Sequence, residues 1–376
     1  MYLKLICLYR LDHQFKKSIL ILLDNNYKLI ENLKDKEAIV HFMEQSRAVR
    51  FLSVCLFVLL LTACNQPTYQ YAFETGDYKV NEVDQLLLDF EKLGKKLPLR
   101  VSYPDADGYF PVIVFSHGNG SKGDMYKGFT DYWASYGYIV FQPTHMDSRS
   151  LGFETKRDNL REFYTQMLTV TDTRRQDMSF VLDSLSLIEE MVPELKGKMD
   201  TTKLIAAGHS MGAATAMLVS GMKLVNPMDG SEESSEEDRF KTLLMISDPG
   251  TMALMPKDPW KGVKIPTFIS TGTNDFSTVG SGRVTSPFKY KIPEELTSSA
   301  APHHYVFIDG ADHYLGGLIC RTDVPGPLQH EALKIAAATS TTFLEAYVRN
   351  DQQSIEAMHF GNLEAITSGQ ATLTTK

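Results

Sequence analysis

From Leu86 onward, short apolar runs of strand length alternate with longer stretches in which apolar residues recur at helical spacing. The strand candidates are Leu86–Phe90, Leu97–Tyr103, Pro111–Ser116, Tyr138–Gln142, Lys203–Ala207, Leu243–Ser247, Pro266–Thr271 and Tyr305–Asp309. Helices are expected over 125–136, 156–191, 211–224 and 328–349. Val112-Ile113-Val114-Phe115 and Leu204-Ile205-Ala206-Ala207 are apolar without a break, the pattern of strands covered on both faces. This alternation predicts an α/β fold, with a mainly parallel central sheet and helices on both faces. No internal repeat is visible. The acidic, serine-rich segment 230–238 reads as a solvated loop between a helix and a strand.

The first apolar run is of a different kind. Residues 51–63 carry no charge and follow Arg47 and Arg50. A basic flank, an apolar core of about 7–15 residues and a small residue at its end make an export signal. The run falls short of the roughly 20 residues that span a bilayer. Leu61-Thr62-Ala63-Cys64 resembles the lipobox of bacterial lipoproteins, which implies lipidation of Cys64, palmitate included, and a membrane anchor there. Asn65 is not the Asp that resembles an inner-membrane retention signal, so an exported cell-envelope lipoprotein is expected, at the outer membrane if the host is Gram-negative. A signal's basic region belongs near the start of translation, so Met43 is the expected start. The resulting division is an extension over 1–42, a signal peptide over 43–63, a tether over 64–78 and a catalytic domain over 79–376.

Composition narrows the classes. The 376 residues are 43% apolar, 10% aromatic and 22% charged, ordinary globular usage that excludes a disordered, collagen-like or multispanning chain. The formal net charge is −8, and the part from Cys64 on is the acidic part. No clustered cations could track phosphates, so no nucleic-acid partner is expected. With Cys7 and Cys55 removed and Cys64 acylated, Cys320 stands alone and no intramolecular disulfide can form. The domain must then rely on its core. The sequence is silent on oligomeric state.

Gly208-His209-Ser210-Met211-Gly212 follows the apolar strand 203–207 and opens a run of small residues, Ala213, Ala214 and Ala216. A serine displayed on a tight strand-to-helix turn needs tiny neighbours, because strand and helix must approach closely there. Ser210 is therefore the candidate nucleophile, and the N-terminus of the helix behind it favours developing negative charge. His209, adjacent in sequence, should diverge from it and is read as packing. The strand 111–116 runs straight into His117-Gly118-Asn119-Gly120, whose glycines allow close backbone approach. The backbone N–H groups of Asn119 and Met211 are the candidate oxyanion donors, with His117 bracing the loop.

A serine hydroxyl needs a histidine to take its proton and a carboxylate to orient that histidine. In this kind of sheet they follow in the order Ser, acid, His. His303 and His304 lead into a strand and His330 and His359 sit in helical stretches, which leaves His313, in the loop 309–317, as the base. We assign Asp275, in Thr271-Gly-Thr-Asn-Asp275, as the acid, with Asp248, in Ile246-Ser-Asp-Pro-Gly250, as the alternative. No metal set is supported, since His303, His304 and His313 contain no ligand pair spaced on one element.

Phe110-Pro-Val-Ile-Val-Phe-Ser-His-Gly118, Ser135-Tyr-Gly-Tyr-Ile-Val140 and the Ser210 motif together resemble the dienelactone-hydrolase-like and platelet-activating-factor-acetylhydrolase-like α/β-hydrolases. Leu97-Pro-Leu-Arg-Val-Ser-Tyr-Pro104 resembles the strand before the oxyanion loop, so the likeness covers residues 80–349. It implies a serine carboxylic-ester hydrolase without a cofactor, acting on a small-molecule or lipid ester. Dienelactone hydrolases proper carry a cysteine nucleophile where Ser210 stands. The acetylhydrolases place their acid on the strand matching Asp248, and cutinase-like polyesterases place it where Asp275 lies. The competing expectations are an amidase or peptidase of the same fold and a non-catalytic lipoprotein scaffold.

Overall fold

The computed structural model describes Tyr69–Lys376 apart from residues 157, 226–228, 248–258, 278–283, 286–300 and 325. Met43, the apolar run 51–63 and Cys64 lie outside the described residues, as does Asp248.

One sheet contains nine strands among the described residues. They are β1 (Val80–Phe90), β2 (Lys95–Pro104), β3 (Phe110–Ser116), β4 (Ile139–Pro143), β5 (Met199–His209), β6 (Phe240–Ile246), β7 (Thr267–Asn274), β8 (His303–Asp312) and β9 (Ala371–Thr375). Their spatial order is β1-β2-β4-β3-β5-β6-β7-β8-β9. The block from β4 to β8 is parallel throughout, whereas β1, β2 and β9 pair antiparallel to their neighbours. This is the α/β architecture that the alternation predicts.

The central strands explain their unbroken apolar runs. Every residue of β3 is buried. Val112 and Val114 face one core with Ala206, Leu243 and Met245, while Ile113 and Phe115 face the other with Ile205, Ala207 and Leu244. The first core is covered by α2 (Leu160–Asp183), α3 (Leu185–Met191) and α4 (Met211–Val219), through residues such as Met178, Ile188 and Met217. The second is covered by α1 (Lys127–Ser135) and α5 (His330–Val348), through Phe129, Trp133, Ile335 and Phe343. Asn159 caps α2 by accepting from the N–H groups of Arg161 and Glu162 at 3.0 and 3.3 Å, the usual role of Asn at that position.

Several boundaries differ from expectation. The helical stretch 156–191 is interrupted at Ser184, which ends α2 and precedes α3. β1 begins at Val80, its polar first half hidden by a register shift between Val83 and Leu86. The helix after Ser210 stops at Val219, and Lys223–Val225 pairs with Glu232–Ser234, so part of the acidic segment is an exposed strand rather than loop. Beyond 349, where only a helical stretch around His359 is expected, lie α6 (Gln352–Phe360), which holds that histidine, α7 (Leu363–Ile366) and the edge strand β9.

Part of the segment expected as a tether is seated on the domain. Residues 69–78 lie against the domain: Tyr71 is buried, its hydroxyl donates to Ala357 O at 3.0 Å, and the Ala72 N–H donates to Thr342 Oγ1 at 2.9 Å. The Tyr132 hydroxyl donates to Ala72 O at 2.5 Å. Aromatic side chains that read as a loose Tyr-rich linker are in fact anchoring points on α1, α5 and α6.

His303, at the start of β8, is buried, and burial lowers its imidazole from 6.5 to about 4. Between those values the unfolded chain binds a proton that the folded chain does not, so this histidine's contribution to stability is lost as pH falls from 6.5 towards 4. Replacing His303 by Leu should flatten the fall: urea midpoints of variant and wild type should converge or cross in the variant's favour between pH 7.5 and pH 4.5. A constant difference at both pH values would assign the acid sensitivity to other groups.

Candidate active site

β5 carries the buried run Leu204–His209 up to the turn, and α4 begins immediately after Ser210. Ser210 has φ 55° and ψ −119°, a left-handed conformation that a non-glycine residue adopts at a cost of about 1–3 kcal/mol. The neighbouring glycines are required by space. A Cβ on Gly212 would lie 1.9 Å from Ser116 O, and one on Gly208 would lie 2.2 Å from Gly212 O. The turn is therefore wedged against the end of β3. The Ser210 N–H donates to Ser247 O at 3.0 Å, tying the turn to the end of β6 as well.

His313 follows β8 directly and approaches Ser210 from across the sheet. Its Nε2 lies 2.8 Å from Ser210 Oγ, and its Nδ1 lies 2.7 Å from Asp275 Oδ1. A carboxylate only accepts, so Nδ1 carries the proton and the Nε2 lone pair faces the serine hydroxyl. Asp275 follows β7, with its N–H closing a turn onto Gly272 O at 3.1 Å. Its second oxygen accepts from Thr271 Oγ1 at 2.7 Å and from the Ser247 hydroxyl. The buried carboxylate is thus fixed in plane by two hydroxyls, leaving Oδ1 aimed at the imidazole. The turn after His313 is held by Asp312, whose Oδ1 accepts from the N–H groups of Tyr314 and Gly316 at 2.8 and 3.0 Å.

His209 is more than packing. Its Nε2–H donates to the main-chain oxygen of His313 at 2.8 Å, and its Nδ1 lies 3.0 Å from the Tyr126 hydroxyl. That hydroxyl in turn accepts the Gly118 N–H at 2.8 Å. A continuous hydrogen-bonded chain thus joins the His313 loop to the His117–Gly120 loop. Asn119 lies exposed in this second loop, and Met211 heads α4; among the described residues neither N–H has a protein acceptor.

Beneath the 117–120 loop is a buried polar cluster that the sequence reading did not find. Arg174 of α2 is fully buried and grips Asp147 with two bonds, Nε to Oδ1 at 2.8 Å and Nη2 to Oδ2 at 2.7 Å. Burial alone would raise the Asp147 carboxyl, but the guanidinium beside it holds it well below the ordinary carboxylate range. His145 Nε2 lies 2.8 Å from Ser116 Oγ and its Nδ1 lies 2.9 Å from Asp177 Oδ2. Burial, with Arg174 adding to it, keeps His117 and His145 well below 6.5 and hence neutral. Burial pushes Asp177 up to about 6 against the opposing pull of Lys95, whose Nζ is 2.6 Å from Oδ1. A signal was present in the sequence: Val170, Arg174, Asp177, Met178 and Val181 fall on one helical face, and all are buried.

The structure thus brings Ser210, His313 and Asp275 into one hydrogen-bonded line. Cys320 is buried and free among the described residues.

A chlorophyllase family model matches residues 68–229, a segment that holds Asn119 and Ser210 and ends before Asp275 and His313. A Schizosaccharomyces pombe protein described as a candidate phospholipase A2 is 27% identical over 32% of this chain and 36% of its own. The platelet-activating factor acetylhydrolase of Cavia porcellus is 22% identical over 68% of this chain and 62% of its own. Chlorophyllase-1 of Arabidopsis thaliana is 29% identical over 19% of this chain and 22% of its own. The chain therefore spans less than two thirds of the length of each of these relatives.

Changing Tyr126 to Phe should leave the buried Gly118 N–H without its acceptor and cost about 1–3 kcal/mol in urea unfolding. An unchanged midpoint would mean that the chain from Gly118 to His313 bears no strain of its own.

Proposed function

We propose that this α/β-hydrolase, of the type that includes platelet-activating factor acetylhydrolases and dienelactone hydrolases, is a serine carboxylic-ester hydrolase working through an acyl-enzyme on Ser210. The observation that carries the reading is the line Asp275 Oδ1–His313 Nδ1 at 2.7 Å and His313 Nε2–Ser210 Oγ at 2.8 Å. Ser210 Oγ attacks the ester carbonyl while His313 Nε2 takes its proton. Asp275 holds the imidazole in the required tautomer and stabilises the imidazolium that forms. The N–H groups of Asn119 and Met211 receive the oxyanion. His313 then returns the proton to the leaving alcohol, and a water molecule, activated by the same imidazole, releases the acid. None of these steps calls for a cofactor.

Relatives named for phospholipase A2 and platelet-activating factor acetylhydrolase activity favour lipid esters as the substrate class. A lipid anchor on Cys64 would hold the domain beside such substrates. The lipobox and the basic and apolar segments before it support that anchor.

A fluorophosphonate probe should label the wild-type protein and fail to label Ser210→Ala. Asp275→Asn should reduce kcat on p-nitrophenyl esters by on the order of 10⁴-fold, the effect of misplacing the histidine proton in a triad. Near-normal turnover in that variant would remove Asp275 from the mechanism. Rates across a chain-length series of the same esters would define the acyl pocket. Cys64→Ala should move the expressed protein from the membrane to the soluble fraction; retention in the membrane would refute the anchor.

A further inference from the structure

We propose that Arg174 is a positioning residue for the oxyanion site, aligning the Asn119 N–H through the carbonyl groups of the loop that carries it. This inference rests on the ester-hydrolase reading and assigns a task to a group that the triad chemistry does not touch.

All five guanidinium N–H bonds are engaged. Two hold Asp147, as described above. Of the rest, Nη1 donates to His117 O at 2.6 Å and to Ser116 Oγ at 3.2 Å, and Nη2 donates to Gly118 O at 3.3 Å. Within a trans peptide unit the C=O and the following N–H point in opposite directions, and the described residues contain no cis peptide bonds. With the His117 carbonyl drawn to Arg174, the Gly118 N–H points away and meets the Tyr126 hydroxyl at 2.8 Å. With the Gly118 carbonyl drawn the same way, the Asn119 N–H must likewise point away from Arg174.

The surrounding bonds remove the other orientations. His117 Nε2 accepts the His145 N–H at 2.9 Å, so its Nδ1 carries the proton and donates to Gly118 O at 2.7 Å. The Ser121 N–H reaches that same oxygen at 3.1 Å, closing a turn in which Asn119 and Gly120 are the central residues. Gly120, with φ +70°, gives its N–H to Asp147 Oδ2 at 3.3 Å. The N–H groups of residues 118 and 120 are therefore committed to the protein, and the one between them is presented outward. The loop that carries it lies beside the Ser210 turn, since Gly212 abuts Ser116 O and a Cβ on Gly118 would lie 2.9 Å from His209 Nδ1.

Ser116, His145 and Asp177 repeat the chemistry of the open triad, but Ser116 and His145 are wholly buried and the Ser116 oxygen also accepts from Arg174. This sealed copy acts as a clamp on the root of the loop. Stability alone gives weak grounds for such a cluster, because a buried ion pair can often be replaced by apolar residues without loss.

Arg174→Lys keeps the charge opposite Asp147 but cannot span both carbonyls. On the full-length protein it should lower kcat by about 10- to 100-fold, less than the 10²–10³-fold loss of a deleted donor, with KM within about threefold. The affinity for a trifluoromethyl ketone, which forms an oxyanion on Ser210, should fall by the same factor as kcat/KM. Asn119→Pro removes the donor itself at a turn position that tolerates proline; adding Arg174→Lys to it should cost little more. If Arg174→Lys does not fold, Arg174→Met paired with Asp147→Leu removes both charges and gives the same readings. A folded variant with wild-type kcat overturns the proposal, as does a loss that multiplies fully with Asn119→Pro. A wild-type protein that neither turns over esters nor labels at Ser210 would instead overturn the ester-hydrolase reading.

Discussion

The carbonyl oxygen at the end of β3 and the first turn of α4 are in backbone contact, with no room between Ser116 O and Gly212 for even a methyl group. Everything chemical in this domain is arranged around that contact. Because strand and helix must pass so closely, the chain can turn between them only by placing Ser210 in a left-handed conformation. The turn then has two neighbours fixed by the sheet, the loop leaving β3 and the end of β6. The parallel order β3-β5-β6-β7-β8 delivers the remaining groups from successive strand ends, as expected for a sheet whose strands all finish on the same side.

The buried carboxylate in the site is held by hydrogen bonds. Asp275 is held by His313, Thr271 and Ser247, so a buried carboxylate is matched by donors on both oxygens. The neighbouring cluster solves the same problem differently, pairing Asp147 with Arg174 and Asp177 with Lys95. One side of the Ser210 turn therefore rests on neutral donors and the other on compensated charge. His209 and Tyr126 join the two, because the imidazole binds the His313 backbone while the phenol binds the loop above Arg174.

Ser210 and His313 were legible in the sequence because their positions impose local rules: small residues around a tight turn, and a polar loop after the last long apolar strand. The oxyanion loop announced itself through two glycines. In the sequence Asp275 is preferred to Asp248 on its strand-end setting alone, since two of the partners that hold it, Ser247 and His313, come from distant segments. Arg174 and Arg175 look alike in a run, yet only the helical phase buries one and leaves the other partly exposed. The C-terminal strand was missed because Ala371–Thr375 is threonine-rich, short and half-covered, and takes its strand form from β8 rather than from its own apolar pattern.

The pairing of β9 reaches the last residue described. Lys376 exchanges main-chain hydrogen bonds with His303, at 3.0 and 2.9 Å, and Gln370 O accepts the Asp309 N–H at 2.7 Å. β8 is thus laced along its outer side by β9 and Lys376, and its far end leads into His313. Any load applied through Lys376, whether from an affinity peptide or a surface for immobilisation, pulls on the same seam that registers the base against the serine. A spacer at that junction would protect the register, and a display format fixed through the opposite end of the domain would leave it untouched.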